Sequence, residues 1–328
     1  MSNIPLYLNE DLIARVLPPD AIYRGVEQTL RSLAAGRVIN GAKGNLSIDD
    51  EQGRRYMGAV SGALLDQAVA GVKWFATCND NPARGLPRVP ATILVCDGIT
   101  GQMRGILEAR ALTAWRTAAL AAVAVNHCLT APVGKAAIVG FGAIGRLLPH
   151  FLATQTRAAS ISVSGRNFEK TKADCASAAR ELGVPVVAES TLEATVRDAD
   201  VIITASGLDQ DAPFLRGSWL KPGATVCALG SYQEIDETVI ERANRIFVDN
   251  WAVCQVRGNL APFVRSGRIS RSDIAGEVAD MVGGKLPART SPDEMILIVL
   301  IGLGALDIAL AAQALEAARR QGLGLELR

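Results

Sequence analysis

The sequence is poor in the residues that build metal centres and disulfide frameworks. It has two histidines, His127 and His150, and its six cysteines are spread along 328 residues without a CxxC pair. A zinc site needs cysteine and histidine ligands at close spacing, and disulfide frameworks are typical of short secreted chains. We therefore expect no bound metal and six reduced thiols, which favours a cytoplasmic location.

Neither sign of charge is in excess, and long hydrophobic runs are missing. Lys and Arg number 34 against 33 Asp and Glu, a net charge of +1, which excludes a strongly basic nucleic-acid binder. The N-terminus shows no basic segment followed by an apolar stretch, so no signal peptide is expected. The uncharged run Met295–Leu306 has twelve residues, whereas a membrane span needs about 20. We expect a buried strand or turn that leads into a helix, and no membrane partner.

The first part of the chain has a mixed α and β pattern. Helical spacing of apolar residues covers Asp20–Ala35, and an alanine-rich helix is expected over Leu112–His127. Alternating or apolar runs predict three strands of an antiparallel or mixed sheet, over Tyr56–Val60, Ala70–Phe75 and Thr92–Cys96. The turn residues 130–134 indicate a domain boundary.

Beyond this boundary, short apolar strands alternate with helical segments. Six strands are expected, over 136–140, 160–164, 185–188, 201–205, 225–229 and 246–249. Strands that alternate with helices form a parallel, doubly wound sheet of the Rossmann type. We therefore predict an α/β protein with this sheet in residues 131–303 and a second α/β domain in residues 1–130.

A glycine-rich motif follows the first of these strands. Residues 140–145 read GFGAIG, which is GxGxxG between a strand and a helix. The first glycine permits a tight turn, the second lets the backbone approach a pyrophosphate, and the third lets the helix pack on the strand. The helix N-terminus then offers N–H groups to the phosphates. The predicted cofactor contacts are Gly140, Gly142, Ala143, Ile144 and Gly145.

The end of the second strand indicates which dinucleotide binds. An NAD site usually has Asp or Glu there, to hold the ribose hydroxyls. Here Ser164, Arg166 and Asn167 follow the strand, without an acid. Arg166 offers a positive charge to a 2′-phosphate, so NADP(H) is favoured over NAD(H). The alternative is that Arg166 is a solvated surface charge.

Three strings outside the glycine motif resemble the ornithine cyclodeaminase/μ-crystallin family. They are GVK at 71–73, NPARGLP at 81–87 and LTAWRTAA at 112–119. With the glycine motif and the later strands, the resemblance covers nearly the whole chain. It implies a nicotinamide cofactor acting on an amino acid or its imine, and a homodimer. It also implies that residues 304–328 complete the N-terminal substrate-binding and dimerisation domain.

The resemblance assigns roles to single residues. Lys73 matches the lysine at the substrate nitrogen, and Arg116 matches the arginine that binds the α-carboxylate. Lys43 and Arg55 match further carboxylate-binding positions, and Met57 and Tyr232 complete the expected substrate site. A guanidinium binds a carboxylate in a bidentate way and so orients the substrate. Further cofactor contacts are expected at Thr117, Thr204, Ala205, Ser206, Leu229 and Gly230. The alternative for each cation is a salt-bridged surface residue.

Two departures from the family pattern bear on the reaction. Tyr232 stands where cyclodeaminases carry the aspartate that activates the substrate amine, and it stays open whether Glu234 or Asp236 replaces it. The segment Ile298–Gly302 is apolar and supplies no acid or base. We therefore favour an imine reductase or amino-acid dehydrogenase acting on a C=N or CH–NH bond. The alternatives are a cyclodeaminase-type lyase that uses NAD⁺ catalytically and releases ammonia, and a non-enzymatic binding protein.

Overall fold

Fifteen strands are present in the computed structural model, which describes residues 4–51, 53–208 and 210–328. Their bounds in chain order are β1 Leu6–Leu8, β2 Val38–Asp50, β3 Gly53–Leu64, β4 Val69–Cys78, β5 Ala91–Asp97, β6 Met103–Glu108, β7 Lys135–Val139, β8 Ser160–Ser164, β9 Val186–Ala188, β10 Val201–Thr204, β11 Thr225–Ala228, β12 Arg245–Val248, β13 Ile274–Glu277, β14 Ile296–Val299 and β15 Leu325–Glu326.

Eleven α-helices lie between and after these strands in the described part of the chain. They are α1 Glu10–Val16, α2 Pro19–Ala34, α3 Arg110–Asn126, α4 Leu148–Thr154, α5 Phe168–Leu182, α6 Leu192–Val196, α7 Glu237–Arg242, α8 Trp251–Cys254, α9 Ala261–Arg265, α10 Val278–Val282 and α11 Gly304–Gln321. No helix among these residues combines the length and the hydrophobicity that a membrane span requires. A cytoplasmic location stays a prediction from the composition.

The chain divides into two compact units. The first consists of Met1–Arg116 with Leu303–Arg328, and the second of Thr117–Gly302. The first division falls inside α3, earlier than the boundary that the turn residues near 131 indicate. The second falls between β14 and α11, within the apolar run Met295–Leu306. That run forms a buried strand followed by the start of a helix.

The first unit contains a seven-stranded mixed sheet. Its order is β15-β1-β6-β5-β4-β3-β2, with β1 parallel to β6 and the other pairs antiparallel. Helix α11 packs across β3, β4 and β5. A Cβ at Gly62 in β3 would lie 2.5 Å from the Cα of Ala305. Glycine at this position therefore allows the first turn of α11 to touch the sheet backbone.

The two faces of this sheet differ in burial. Along β3, Gly58, Val60, Gly62 and Leu64 are buried, whereas the residues between them are partly or fully exposed. Side chains alternate between faces in a strand, so the even-numbered residues of β3 face α11. The odd-numbered residues lie on the opposite face, which we call the outer face.

The second unit contains the parallel, doubly wound sheet. Its eight strands run in the order β13-β12-β14-β11-β10-β7-β8-β9, and all pairs are parallel. The order β9-β8-β7-β10-β11 is the 3-2-1-4-5 order of a Rossmann sheet, which confirms the predicted fold class. The chain order reverses between β7 and β10, and dinucleotides bind at such a switch point. The prediction missed β13, and it gave the β14 segment as a buried strand or turn without counting it among the six strands of this sheet.

Candidate functional site

A buried cluster of three charged side chains lies inside the first unit. The Nζ of Lys73 donates to Oδ2 of Asp307 at 2.8 Å, and the Nε of Arg116 donates to Oδ1 of the same carboxylate at 3.0 Å. The three side chains are 4 %, 8 % and 1 % exposed, respectively. One carboxylate thus fixes both cations, and these are the two residues that the sequence selects as catalytic.

Each member of this cluster comes from a different element. Lys73 lies in β4, Arg116 in the middle of α3 and Asp307 in the first turn of α11. The positive end of the α11 dipole stabilises an acidic side chain in that turn. The close contact between α11 and β3 at Gly62 brings the turn down to the sheet and places Asp307 against Lys73.

Burial and charge act against each other in this cluster. Burial lowers the pKa of Lys73 to about 8, with a further lowering by Arg116, while the charge of Asp307 opposes both. Burial by itself raises the pKa of Asp307, but the charges of Arg116 and Lys73 outweigh it and keep the pKa below its ordinary value. At neutral pH the cluster carries two positive charges and one negative charge, which leaves one positive charge in a buried place.

Lys43 lies near this cluster, but Arg55 and Met57 do not. Lys43, Val60 and Lys73 are register partners across β2, β3 and β4, so their side chains share the face toward α11. Lys43 and Lys73 both lie over the ring of Phe75, with Nζ at 5.1 and 5.6 Å from its centroid.

Arg55 and Met57 are odd-numbered residues of β3 and lie on the outer face. Arg55 is ion-paired there with Asp50 at 2.5 Å. The expected grouping of four cations is therefore not found within the single chain. Strand alternation separates Arg55 and Met57 from the other predicted substrate residues.

The glycine motif in the second unit has the backbone that a dinucleotide needs. Gly140 has φ +99°, and a Cβ there would lie 2.6 Å from the carbonyl oxygen of Ala205. A Cβ at Gly145 would lie 1.9 Å from the carbonyl oxygen of Gly140, whereas nothing lies within 4 Å of a Cβ at Gly142. Two glycines are thus needed for packing, and the middle one borders open space.

The helix after the motif starts differently from the expectation. Residues Gly145–Leu147 form one 3₁₀ turn, and α4 begins only at Leu148. The physical reason is Pro149, which has no N–H to bond the carbonyl of Gly145. Ala143 is exposed and Ile144 is half-buried at the start of this turn.

The end of β8 has an unsatisfied polar atom. The hydroxyl of Ser164 is buried and has no hydrogen-bond partner within the described residues, and buried polar groups normally have one. Arg166 is exposed in the following loop. The side chain of Asn167 accepts from the N–H of Lys170 and caps α5, so its oxygen is already used. The open Gly142 and the unpaired Ser164 hydroxyl fit a bound dinucleotide.

Three of the predicted cofactor contacts bind the carboxylate of Glu234, which the sequence offered only as one of two replacements for the family aspartate. The carboxylate of Glu234 is fully buried and accepts from the Thr204 hydroxyl at 2.5 Å, the Ser206 N–H at 2.9 Å and the Gly230 N–H at 2.9 Å. The Ser206 hydroxyl also donates to it. Ala205 and Leu229 are half-buried between these contacts.

The remaining predicted residues lie around this acid or in α3. Tyr232 is half-buried two residues before Glu234, and Thr117 is half-buried in α3. Asp236 caps α7 by accepting from the N–H of Val239. The carboxylate of Asp236 is thus engaged as a helix cap, which argues against Asp236 as the replacement for the family aspartate.

A second unselected acid lies behind the apolar segment Ile298–Gly302. Asp249 follows β12, is buried, and accepts from the N–H of Ile301 at 2.8 Å and of Gly302 at 2.5 Å. Burial raises its pKa, and these hydrogen bonds oppose the rise. The segment itself supplies no acid or base, but the carboxylate of Asp249 binds the backbone N–H groups at its end.

The three buried acids Asp307, Glu234 and Asp249 differ in how clearly the sequence signals their role. Asp307 is the single charge between Met295 and Leu315 in an otherwise uncharged apolar stretch. A lone acid there is costly to bury unless it is paired, and that signal could have identified it. Glu234 and Asp249 stand in short polar loops after strands, where acids are common, so no comparable signal exists.

Lys73 makes a pH-dependent contribution to stability. Between pH 8 and 10.5 the unfolded chain still binds a proton at this lysine that the folded chain has released, so the free energy of unfolding rises with pH across this window. The full rise is roughly 3–3.5 kcal/mol. We expect Lys73→Met to lose it, measured from urea unfolding midpoints at both ends of the window.

The matched control is Lys285→Met, which removes an exposed lysine paired with Asp280. The free energy of unfolding of the wild type, minus that of Lys73→Met, should increase as the pH rises from 8 to 10.5. A difference that stays constant, or that changes equally in the control, contradicts the lowered pKa.

Comparison with known proteins finds relatives that match almost the full length of the chain. Iminosuccinate reductase of Paracoccus denitrificans is 28% identical over 98% of this chain and 99% of its own. Its crystal structure in complex with NAD⁺ matches with a TM-score of 0.89 at 25% identity, over 99% of both chains. Delta(1)-pyrroline-2-carboxylate reductase of Thermococcus litoralis, in complex with NADH and L-proline, matches with a TM-score of 0.91 at 23% identity, over 98% of this chain and 100% of that one. The profile of the ornithine cyclodeaminase/mu-crystallin family matches residues 13–322, and the chain belongs to that family.

Proposed function

We propose that the protein is an NAD(P)H-dependent oxidoreductase that reduces the C=N bond of a small imino acid, or oxidises the CH–NH bond of the corresponding amino acid. The observation that carries this proposal is the buried cluster of Lys73, Arg116 and Asp307. The similarity to iminosuccinate reductase over almost the full length of both chains supports it.

The cluster supplies the polar groups that such a reaction needs. Lys73 holds a proton at neutral pH and can donate it from Nζ to the substrate nitrogen, since its pKa lies near 8. Arg116 uses only Nε on Asp307, which leaves its terminal nitrogens as donors for the substrate carboxylate. The nicotinamide ring, when bound, supplies the hydride to the carbon of the C=N bond. Asp307 holds the two cations at a fixed separation.

The charge of the cluster favours an acidic substrate. A buried ion group with one uncompensated positive charge is destabilising until an anion pairs with it. One substrate carboxylate supplies that charge. Lys43 on the same sheet face adds a second cation near Phe75, where it can bind the same carboxylate or a second acidic group.

The alternative of a cyclodeaminase lacks a free acid at the positions that the sequence offers for it. Ring closure needs a carboxylate that activates a second substrate amine. Tyr232 stands at the family position of that aspartate, Asp236 caps α7, and Glu234 accepts four hydrogen bonds inside the second unit. The binding-protein alternative does not explain why a lysine with a pKa near 8 is buried on a shared carboxylate.

The proposed cofactor is NADP(H), with NAD(H) as the alternative. No acid lies at the end of β8 or in residues 165–167, and the exposed Arg166 stands in the loop where a 2′-phosphate would lie. The Ser164 hydroxyl is the neighbouring donor without a partner among the described residues.

We also propose a homodimer formed through the outer face of the sheet in the first unit. Ile39, Leu46 and Trp74 lie on that face and are 54%, 50% and 48% exposed. Three large apolar side chains exposed on one face of a sheet favour an interface there. Arg55 and Met57 lie on the same face and would be covered with them.

The reaction is tested with a panel of cyclic and linear imino acids, assayed with NADPH and NADH by absorbance. We expect reduction of at least one acidic imine, and loss of this activity in Lys73→Ala, because the variant lacks the ammonium group that donates the proton to the substrate nitrogen. Dissociation constants of the cofactor should stay within about twofold of the wild-type values.

Ammonia release is measured in parallel as the control for the alternative reaction. Conversion of ornithine to proline and ammonia by the wild type, without net NADPH turnover, contradicts the proposal. So does full reductase activity in Lys73→Ala.

The cofactor preference is tested with Arg166→Ala. Loss of a charged hydrogen bond costs about 1.5–3 kcal/mol, so the KM for NADPH should rise roughly ten- to a hundredfold while the KM for NADH changes little. Arg180→Ala, at an exposed arginine near the end of α5, is the matched control. An equal loss with both cofactors, or a strong wild-type preference for NADH, is the contrary result.

A further inference from the structure

Glu234 connects two loops at the carboxyl edge of the parallel sheet. Oε1 accepts from the Ser206 N–H and hydroxyl in the loop after β10, and Oε2 accepts from Thr204 and from the Gly230 N–H after β11. All four donors are hydroxyl or backbone N–H groups, and no cationic side chain of the described residues pairs with the carboxylate. The carboxylate therefore acts as a common acceptor for two loops.

The backbone of Glu234 is fixed as firmly as its side chain. Its N–H and that of Ile235 donate to Oδ1 of the fully buried Asn259, at 2.7 and 3.2 Å. The Nδ2 of Asn259 donates to the carbonyl of Gly230 at 3.4 Å. Two side chains, Glu234 and Asn259, thus hold the loop after β11 from both ends.

The loops that Glu234 connects also border the glycine motif. The N–H of Ala205 donates to the carbonyl of Val139 at 2.8 Å, and the N–H of Leu229 donates to the carbonyl of Thr204 at 3.0 Å. The carbonyl oxygen of Ala205 lies 2.6 Å from the position that a Cβ at residue 140 would occupy. These hydrogen bonds connect the end of β7 to the loop after β10, and that loop to the loop after β11.

We propose that Glu234 is a positioning residue for the nicotinamide half of the cofactor. This inference rests on the proposed use of a nicotinamide dinucleotide. Each half of a doubly wound sheet binds one nucleotide half. The glycine motif and β8 belong to the first half, whereas the loops held by Glu234 belong to the second. Loss of the carboxylate should therefore weaken the binding of the whole dinucleotide and spare the adenosine half.

Glu234→Gln is the most direct variant. Each carboxylate oxygen accepts one backbone N–H that cannot turn away, so whichever oxygen becomes an NH₂ group leaves a buried donor facing a donor. A buried group without its partner costs enough to weaken binding about tenfold or more. Glu237→Gln is the matched control, since Glu237 lies three residues further along, is exposed and pairs with Arg268.

The measurement is the dissociation constant, by calorimetry, of NADPH, of NADH, and of ADP-ribose with and without a 2′-phosphate. We expect Glu234→Gln to weaken the complete dinucleotides about tenfold, and to leave the ADP-ribose ligands within about twofold of wild type. An equal loss for both ligand classes, or no loss, overturns the positioning role. If the wild type binds ADP-ribose but no dinucleotide, or binds neither, the proposed cofactor itself is wrong.

Thr204→Val keeps the inference testable if Glu234→Gln does not fold. It removes one hydroxyl donor and leaves the carboxylate and the two backbone N–H bonds in place. We expect a smaller loss, roughly threefold, again confined to the complete dinucleotides. A loss that extends to ADP-ribose contradicts the inference.

Discussion

The chemistry assigned to the first unit depends on one shared carboxylate. Asp307 accepts from Lys73 and Arg116 inside a region that excludes water. Without it, two cations would repel each other in a place where repulsion is poorly screened. With it, one positive charge remains, which in the proposed function pairs with a substrate carboxylate. Gly62 lets the first turn of α11 contact the backbone of β3. This contact brings the carboxylate of Asp307 within hydrogen-bond distance of Lys73 in β4.

The second unit uses buried acids in another way. Glu234 and Asp249 have hydroxyl, thiol and backbone N–H donors instead of cations, and each holds the loop that follows a strand of the parallel sheet. Such carboxylates stabilise loop conformations because an unsatisfied buried charge is far more costly than a satisfied one. These three buried acids thus have two different roles, since Asp307 balances cations whereas Glu234 and Asp249 order loops.

The sequence predicts the doubly wound sheet well because its strands are short apolar runs between helices, and β8 has the bounds expected. It does not predict β2, whose residues Val38–Asp50 include two glycines and little alternation, since that strand is stabilised by its pairing with β3. The proposed catalytic pair, Lys73 and Arg116, follows from the resemblance. Their partner Asp307 lies 234 residues from Lys73 in the chain, and only the folded sheet and helix bring them together. Strand alternation then separates Arg55 and Met57 from the others, which the spacing along the chain does not reveal.

The central claim is that Lys73 protonates the substrate nitrogen with a proton affinity that Asp307 sets. The direct measurement is the pH dependence of single-turnover imine reduction, followed by loss of nicotinamide absorbance, in wild type and Asp307→Asn. The rate should fall above about pH 8 in the wild type, where Lys73 loses its proton. Because the charge of Asp307 raises the pKa of Lys73, this fall should move to lower pH in Asp307→Asn. The same pH dependence in both proteins would contradict the account.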